Sequence, residues 1–125
     1  MSLDPKTIRA IRGATTVEDD NPDEIVAASA ALLEELLAAN HAAAEDLVSI
    51  IFTATPDLTA EFPAAGARRL GLSEVPLLCS TEIGVPGALP RCVRVLVHLY
   101  TDRALHELHH VYRGGARELR RDLQG

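Results

Sequence analysis

The amino-acid sequence predicts an α/β domain in which a small mixed β-sheet of about five strands carries two main helices on one face. Its 125 residues suffice for a single domain, 1–125, with one hydrophobic core. Apolar runs of strand length alternate along the chain with amphipathic helical segments. Hydrophobic residues make up 47% and charged residues 24%, which is typical of a globular protein.

A strand followed by a well-capped helix opens the domain. Residues 7–13 predict the first strand, which places Arg12 at its end, directly before a turn at Gly13. The segment from Asp20 has a capping side chain, a first-turn proline and acidic residues, all typical of a helix N-terminus. An apolar stripe extends this helix to about Ala39.

The middle of the chain predicts a buried strand and a second long helix. Residues 47–54 form an apolar run without alternation, and such a strand needs both of its faces covered. Phe62 and Pro63 begin the second helix, which Gly71 ends. Phe62 and Arg68 are expected near the start of this helix, a favourable place for an anion.

Further strands and a basic tail complete the domain. Strands are predicted at 75–80, 93–100 and 109–112, and the second of these alternates apolar residues with residues of mixed polarity. The tail, about 116–125, has few apolar anchors, so we expect it to be mobile.

Two helices cover only one face of such a sheet, and the chain has no element left for the other. A symmetric homo-oligomer that buries sheet against sheet between subunits is the economical solution. It would also place residues at strand ends near subunit boundaries.

Charge and composition argue against several classes of partner. A formal net charge of −6 argues against nucleic acid as the main partner. The sequence contains no run of about 18 apolar residues, so no membrane-spanning segment is expected. Two cysteines form no secreted-type framework and the N-terminus has no signal core, so a cytoplasmic protein is expected. Eleven of the twelve basic residues are arginine, which reflects either a high-GC coding bias or planar clamps for carboxylates.

Candidate site residues lie at the ends of apolar strands. Cys79, Glu82 and Arg94 flank a segment rich in glycine and proline, and Arg12 and Tyr112 end other predicted strands. Charged groups there are costly to bury without partners, so a polar ligand or a salt bridge is expected. Positions 79 and 82 point to opposite faces of an extended strand, so they share a site only if the strand ends or bulges between them.

This set of residues holds cationic clamps, a carboxylate and an aromatic ring, but no convincing pair of nucleophile and base. Cys79 lacks a local catalytic signature and is favoured as a buried hydrophobe or hydrogen-bond donor. The three histidines between 106 and 110 lack metal-ligand spacing, so no metal is expected. The inventory suits a small dianionic ligand, with Phe62 and Arg68 added across a subunit boundary.

Five blocks of sequence follow one another in a specific order. They are IRGATT at 11–16, TATPDL at 53–58, FPA at 62–64, the segment holding residues 79, 82 and 94, and HVY at 110–112. In order and spacing they resemble the monofunctional AroH-class chorismate mutases, from residue 8 to about 123. The resemblance implies a homotrimer of pseudo-α/β-barrel form with active sites between subunits. It implies a cofactor-free Claisen rearrangement of chorismate to prephenate, in phenylalanine and tyrosine biosynthesis.

The resemblance also implies roles for individual residues of one subunit. Arg94 would donate to the ether oxygen of the breaking bond, as a catalytic group together with Glu82 and Arg12. Arg12 and Tyr112 would grip a substrate carboxylate. Glu82 and the backbone or thiol of Cys79 would hold the ring hydroxyl.

Other residues would come from elsewhere in the assembly. Phe62, Ala64 and Arg68 would be contributed by the adjacent subunit. Leu119 and Arg120 would belong to the tail that closes over the substrate.

The sequence departs from the family pattern at two positions, and two other functions remain open. Ala65 stands where a relative carries lysine near the mouth of the site, and Leu78 where threonine can occur; both are expected to affect substrate access and affinity more than chemistry. A trimeric enamine/imine deaminase of similar architecture would release ammonia. A non-catalytic sensor of small metabolites would bind chorismate and leave it unchanged.

Overall fold

The computed structural model describes residues 5–119, which form a five-stranded mixed sheet and two helices. The strands are β1 (Thr7–Thr16), β2 (Leu47–Ala54), β3 (Leu77–Thr81), β4 (Cys92–Thr101) and β5 (Val111–Tyr112), and the helices are α1 (Pro22–Ala39) and α2 (Ala64–Arg69). The strand order is β3-β2-β4-β1-β5. The β2–β3 and β1–β5 pairs are parallel, whereas β4 runs antiparallel to both β1 and β2. The predicted mixed sheet and its two main helices are confirmed.

Helix α1 begins and ends where the sequence indicates. The side chain of Asn21 accepts a hydrogen bond from the amide of Glu24 at 3.0 Å, and Pro22 occupies the first turn. Asn40 caps the other end. The apolar stripe of α1 packs against the sheet and forms much of the hydrophobic core.

The sheet has one covered face and one open face. Both helices pack on the covered face, and alternate β4 residues from Val93 to Leu99 are buried beneath them. The intervening residues of β4, from Arg94 to Tyr100, project from the other side, which we call the open face. The alternation predicted for this strand is therefore confirmed.

Strand β1 is longer than predicted, because Gly13 lies inside the strand and not in a turn. A Cβ at Gly13 would come within 3.0 Å of both the Leu32 side chain and the carbonyl oxygen of Val111. Glycine is therefore required by the close approach of α1 and β5, not by a chain reversal. The prediction that Arg12 ends its strand is wrong: Arg12 lies in the middle of a ten-residue strand.

Strand β5 is shorter than predicted, because side chains replace part of its ladder. The amide side chain of Asn40 donates to the carbonyl of His109 and accepts from its N–H, both at 2.8 Å. The backbone N–H of Arg12 donates to Nδ1 of His110 at 3.1 Å. Regular pairing with β1 therefore begins only at Val111.

The second helix and the third strand also differ from the prediction. Helix α2 spans six residues and ends before Gly71, whose φ of +82° suits glycine. Arg68 lies in its last turn and not near its start. Strand β3 begins at Leu77, and Pro76, which has no N–H to donate, contributes only its carbonyl oxygen to the amide of Ile50.

The beginning of the predicted tail is packed against the domain. Ala116 is buried with Ala14 and Cys92, and Leu119 contacts this small apolar cluster. Residues 120–125 lie outside the described residues, so the expected mobility of the tail stays a prediction. Within residues 5–119, no helix has the length and apolar character needed to cross a membrane.

Candidate active site

The strand register aligns one residue from every strand in a row across the open face. Ser80 pairs with Thr53, Thr53 with Arg94, Arg94 with Ala14, and Ala14 with Tyr112. Paired residues on neighbouring strands project to the same face of a sheet. Two aliphatic hydroxyls, a guanidinium and a phenol are thereby brought onto one surface from separate parts of the sequence.

The four residues of this row other than Ser80 line a pocket of about 360 Å³. The pocket brings together four residues that the sequence analysis had singled out: Arg12, Arg94, Tyr112 and Leu119. Arg12 pairs with Leu96, two positions from Arg94 on the same strand, so the two arginines are diagonal neighbours across β1 and β4. The rest of the lining is mainly apolar, which strengthens electrostatic interactions inside the pocket.

Glu82 fixes the orientation of the Arg94 side chain. Oε1 of Glu82 lies 3.1 Å from Nε of Arg94, and its Oε2 accepts a hydrogen bond from Oγ1 of Thr53, also at 3.1 Å. The amide of Glu82 donates to the carbonyl of Ala54, which ties the start of the following loop to β2. A polar ligand or a salt bridge was expected for the polar groups that flank this loop, and the salt bridge is present.

Arg12 is held through its backbone by a histidine ring. The Arg12 amide donates to Nδ1 of His110, so that nitrogen must be unprotonated and the proton of the neutral ring is on Nε2. Burial lowers the pKa of His110 below its ordinary value of 6.5, and the charge of Arg12 lowers it further. A neutral imidazole therefore anchors the strand at this point.

The phenol of Tyr112 lines the pocket. Its hydroxyl is buried, and it makes no hydrogen bond with the residues that the structure describes. Buried hydroxyl groups are normally hydrogen-bonded, so a ligand oxygen in the pocket is the natural partner.

A buried thiol lies beside the arginine at the floor of the pocket. Cys92 projects from the same face of β4 as Arg94 and packs against Ala14 and Ala116. Burial raises the pKa of Cys92 to about 11, and the nearby Arg94 only partly opposes this effect. The thiol is therefore neutral at ordinary pH and is not a thiolate nucleophile.

The remaining predicted site residues do not join this pocket within one chain. Cys79 lies on the covered face, half-buried against the core, and it lines a second cavity of about 370 Å³ together with Phe62. Strand β3 continues through Thr81, so the thiol points away from Glu82, as the alternation of an extended strand requires.

Two other predicted residues lie apart from both arginines. Ala64 is buried in the core of its own chain, and Arg68 is exposed at the end of α2. Their substrate contacts remain a prediction, and Arg120 lies outside the described residues. Among residues 5–119, no three histidine, cysteine or acidic side chains are grouped so as to hold a metal ion.

The sequence analysis assigned no role to Thr53 or Cys92. Thr53 lies within the apolar run of β2 and opens the TATPDL block, and Cys92 directly precedes the β4 alternation, but neither received a role of its own. Their place at the site depends on the pairing of β2, β1 and β4, which are distant in sequence. The one available signal was the polar character of Thr53 within an apolar strand.

Comparisons with known proteins all find similarity to chorismate mutases. The family model described as chorismate mutase type I matches residues 8–123. The chorismate mutase AroH of Thermus thermophilus is 48% identical over 118 residues, which covers 94% of this chain and 97% of the relative. The chorismate mutase AroH of Bacillus subtilis (strain 168) is 44% identical over 117 residues, covering 93% and 92%. A solved structure of a chorismate mutase from Clostridium thermocellum has a TM-score of 0.87 and 48% identity, covering 88% of this chain and 98% of that one.

Proposed function

This chain belongs to the type I chorismate mutase family and functions as an isomerase of that kind, and we propose that chorismate rearranges to prephenate in the pocket on the open face of its sheet. One observation carries the placement. The guanidinium of Arg94, oriented by Glu82, lies in a largely apolar pocket with Arg12 and with the hydroxyl of Tyr112, which has no hydrogen-bond partner among residues 5–119.

The chemistry of a Claisen rearrangement fits this set of groups. In a pericyclic step a C–O bond breaks while a C–C bond forms, and no proton enters or leaves the substrate. The reaction needs neither a nucleophile nor a general base, but it needs the substrate folded and the departing oxygen stabilised. The pocket offers fixed positive charge and hydrogen-bond donors for those two tasks.

Arg94 stabilises the oxygen on which negative charge develops. Its Nε is engaged by Glu82, so the plane of the guanidinium is set before substrate binds. The terminal nitrogens remain as donors for the ether oxygen. A preorganised donor costs no reorganisation during the reaction, which is why its effect falls on the transition state.

Arg12 and Tyr112 bind a carboxylate of the substrate, and Glu82 accepts a hydrogen bond from its ring hydroxyl. An ionised carboxylate has about four acceptor sites, so Glu82 can keep its bonds to Thr53 and Arg94 and accept a third. Binding at both ends holds the enolpyruvyl side chain over the ring.

We further propose that the active assembly is a homotrimer of pseudo-α/β-barrel form. The open face carries large apolar side chains that one chain leaves exposed: Ile8, Leu78, Leu96 and Tyr100. An uncovered patch of this kind on both sides of a pocket is typical of a subunit interface. A neighbouring subunit would cover it and bring Phe62, Ala64 and Arg68 to the arginines.

Cytoplasmic location is part of the same proposal. Both cysteines are free thiols, which suits a reducing compartment.

The test is a direct assay with purified protein. Loss of chorismate absorbance together with formation of prephenate, without added cofactor or metal, is the expected result. A metabolite sensor would bind chorismate without converting it, and an enamine/imine deaminase would release ammonia from its own substrates. Either of those outcomes without prephenate would contradict the proposal.

A further inference from the structure

We infer that Thr53 is a positioning residue for the rearrangement, and that it acts by holding the carboxylate of Glu82 in place against Arg94. This inference rests on the site proposed above. It assigns a role to a hydroxyl near the end of β2, a strand whose other residues are mainly apolar.

The two carboxylate oxygens of Glu82 contact different side chains. Oε1 pairs with Nε of Arg94 and Oε2 accepts the hydrogen bond from Thr53, each at 3.1 Å. With Arg94 alone, the carboxylate would rotate about its terminal torsion, which is broad and poorly restrained. A second bond from the opposite side removes that freedom and fixes the oxygen facing the guanidinium.

Thr53, which donates the hydrogen bond to Glu82, is held rigidly in its strand. Thr53 lies in a strand paired on both sides, with Ser80 on β3 and Arg94 on β4. A β-branched side chain in a strand has a strongly restricted χ1 torsion, so its hydroxyl is held by the backbone itself. Glu82, by contrast, lies beyond the end of β3 and depends on contacts such as this one.

Both side chains of the Arg94–Glu82 ion pair are partly exposed to water. The Glu82 side chain is 20% exposed and that of Arg94 is 46% exposed, so water competes for both groups. Ion pairs at such exposure contribute little on their own and exchange between geometries. A neighbouring hydroxyl from a rigid strand converts a loose pair into a network with one arrangement.

The discriminating variants are Thr53→Val and Thr53→Ser. Valine keeps the branched shape and the strand propensity but removes the donor, whereas serine keeps the donor. We expect Thr53→Val to lower kcat about tenfold with a smaller change in KM, because a bond to a charged group is lost from the transition-state geometry. Thr53→Ser should stay within about threefold of the wild type.

Thr15→Val is the matched control. It makes the same substitution on β1, on the covered face, where the threonine hydroxyl donates a long bond of 3.4 Å to the Thr16 carbonyl and has no other bond within the described part of the chain. Its kcat should remain within about twofold of the wild type. Thermal unfolding of all three variants checks that they are folded.

A second readout needs no substrate and separates this inference from the proposed function. The Nε–H signal of Arg94, assigned by its disappearance in Arg94→Lys, reports how firmly Glu82 holds the guanidinium. We expect its hydrogen exchange with water to be several-fold faster in Thr53→Val and restored in Thr53→Ser.

The possible results have distinct meanings. Unchanged exchange in Thr53→Val would overturn the inference, even if kcat fell, since the hydroxyl would then act on the substrate directly. Serine failing to restore both readouts would overturn it as well, because packing would then be the cause. Failure of the proposed function would appear separately, as a wild-type protein that does not form prephenate.

Discussion

Replacement of Arg94 by lysine tests the proposed chemistry most specifically, since it keeps the charge and removes the geometry. In the structure Nε of Arg94 is committed to Glu82 at 3.1 Å, and the proposed mechanism uses a terminal nitrogen for the departing oxygen. Lysine has a single ammonium on a flexible stem, which either pairs with Glu82 or reaches the substrate. It cannot do both in a fixed arrangement.

The expected loss follows from the loss of one preorganised donor. Such a donor contributes about 3–4 kcal/mol to the transition state, which corresponds to roughly 10²–10³ in kcat. The folded state should hardly change, because a pair with 46% and 20% exposed side chains contributes about 1 kcal/mol or less. The effect is therefore expected in turnover and not in thermal stability.

The assay is the initial rate of chorismate loss at saturating substrate, with Arg69→Lys as the control. Arg69 is an exposed arginine at the end of α2, outside the pocket, and its replacement should leave kcat unchanged. Turnover of Arg94→Lys within about fivefold of the wild type would refute the role given to the guanidinium. A large loss accompanied by unfolding would be recognised from the thermal transition.

Three further predictions concern stability and reactivity. Gly66→Ala should lower the free energy of unfolding, measured by urea titration, by about 1–3 kcal/mol. The added Cβ would lie 2.7 Å from the amide nitrogen of Ala30 in α1. Unchanged stability would show that the two helices can move apart. Burial raises the pKa of Cys92 to about 11, so Cys92 should resist alkylation near pH 8 until the protein unfolds. The half-buried Cys79 should react first. Mass spectrometry that locates the label tests this order, and labelling of Cys92 before Cys79 would contradict it. Because the pKa of His110 is lowered in the folded state, the unfolded chain takes up this proton at a higher pH than the folded chain does. The stability that neutral His110 contributes is therefore complete above about pH 6.5 and is lost as the pH falls below it. In urea titrations between pH 7 and 5, His110→Gln should show a shallower fall, and equal slopes would contradict this.

Local signals in the sequence predicted much of the fold. The cap at Asn21 and Pro22 placed the start of α1, and the alternation along β4 identified which residues face the helices. These features depend on neighbours in sequence, so they are readable without knowledge of the tertiary structure. The glycine at position 13 misled the prediction, because close approach of α1 and β5 requires glycine as strongly as a turn does.

The composition of the candidate site could be predicted, but its geometry could not. Polar and aromatic residues expected at the ends of apolar strands singled out Arg12, Arg94 and Tyr112, although Arg12 in fact lies inside its strand, and the resemblance supplied their roles. The row that unites them depends on the register of strands separated by tens of residues, which no local pattern specifies. The contribution of Thr53 is invisible for the same reason, since its partner is Glu82, beyond the end of another strand.

The central claim is that each active site combines the arginines of one chain with residues lent by a neighbour, and mixing of subunits tests it directly. Arg94→Ala and Arg68→Ala are each expected to be nearly inactive as pure proteins. If they are unfolded together and refolded in equal amounts, a random trimer regains both wild-type residues at roughly a quarter of its sites. Recovery of about that fraction of wild-type turnover is the predicted result, whereas no recovery above the two parents, or a protein that is monomeric, would contradict the claim.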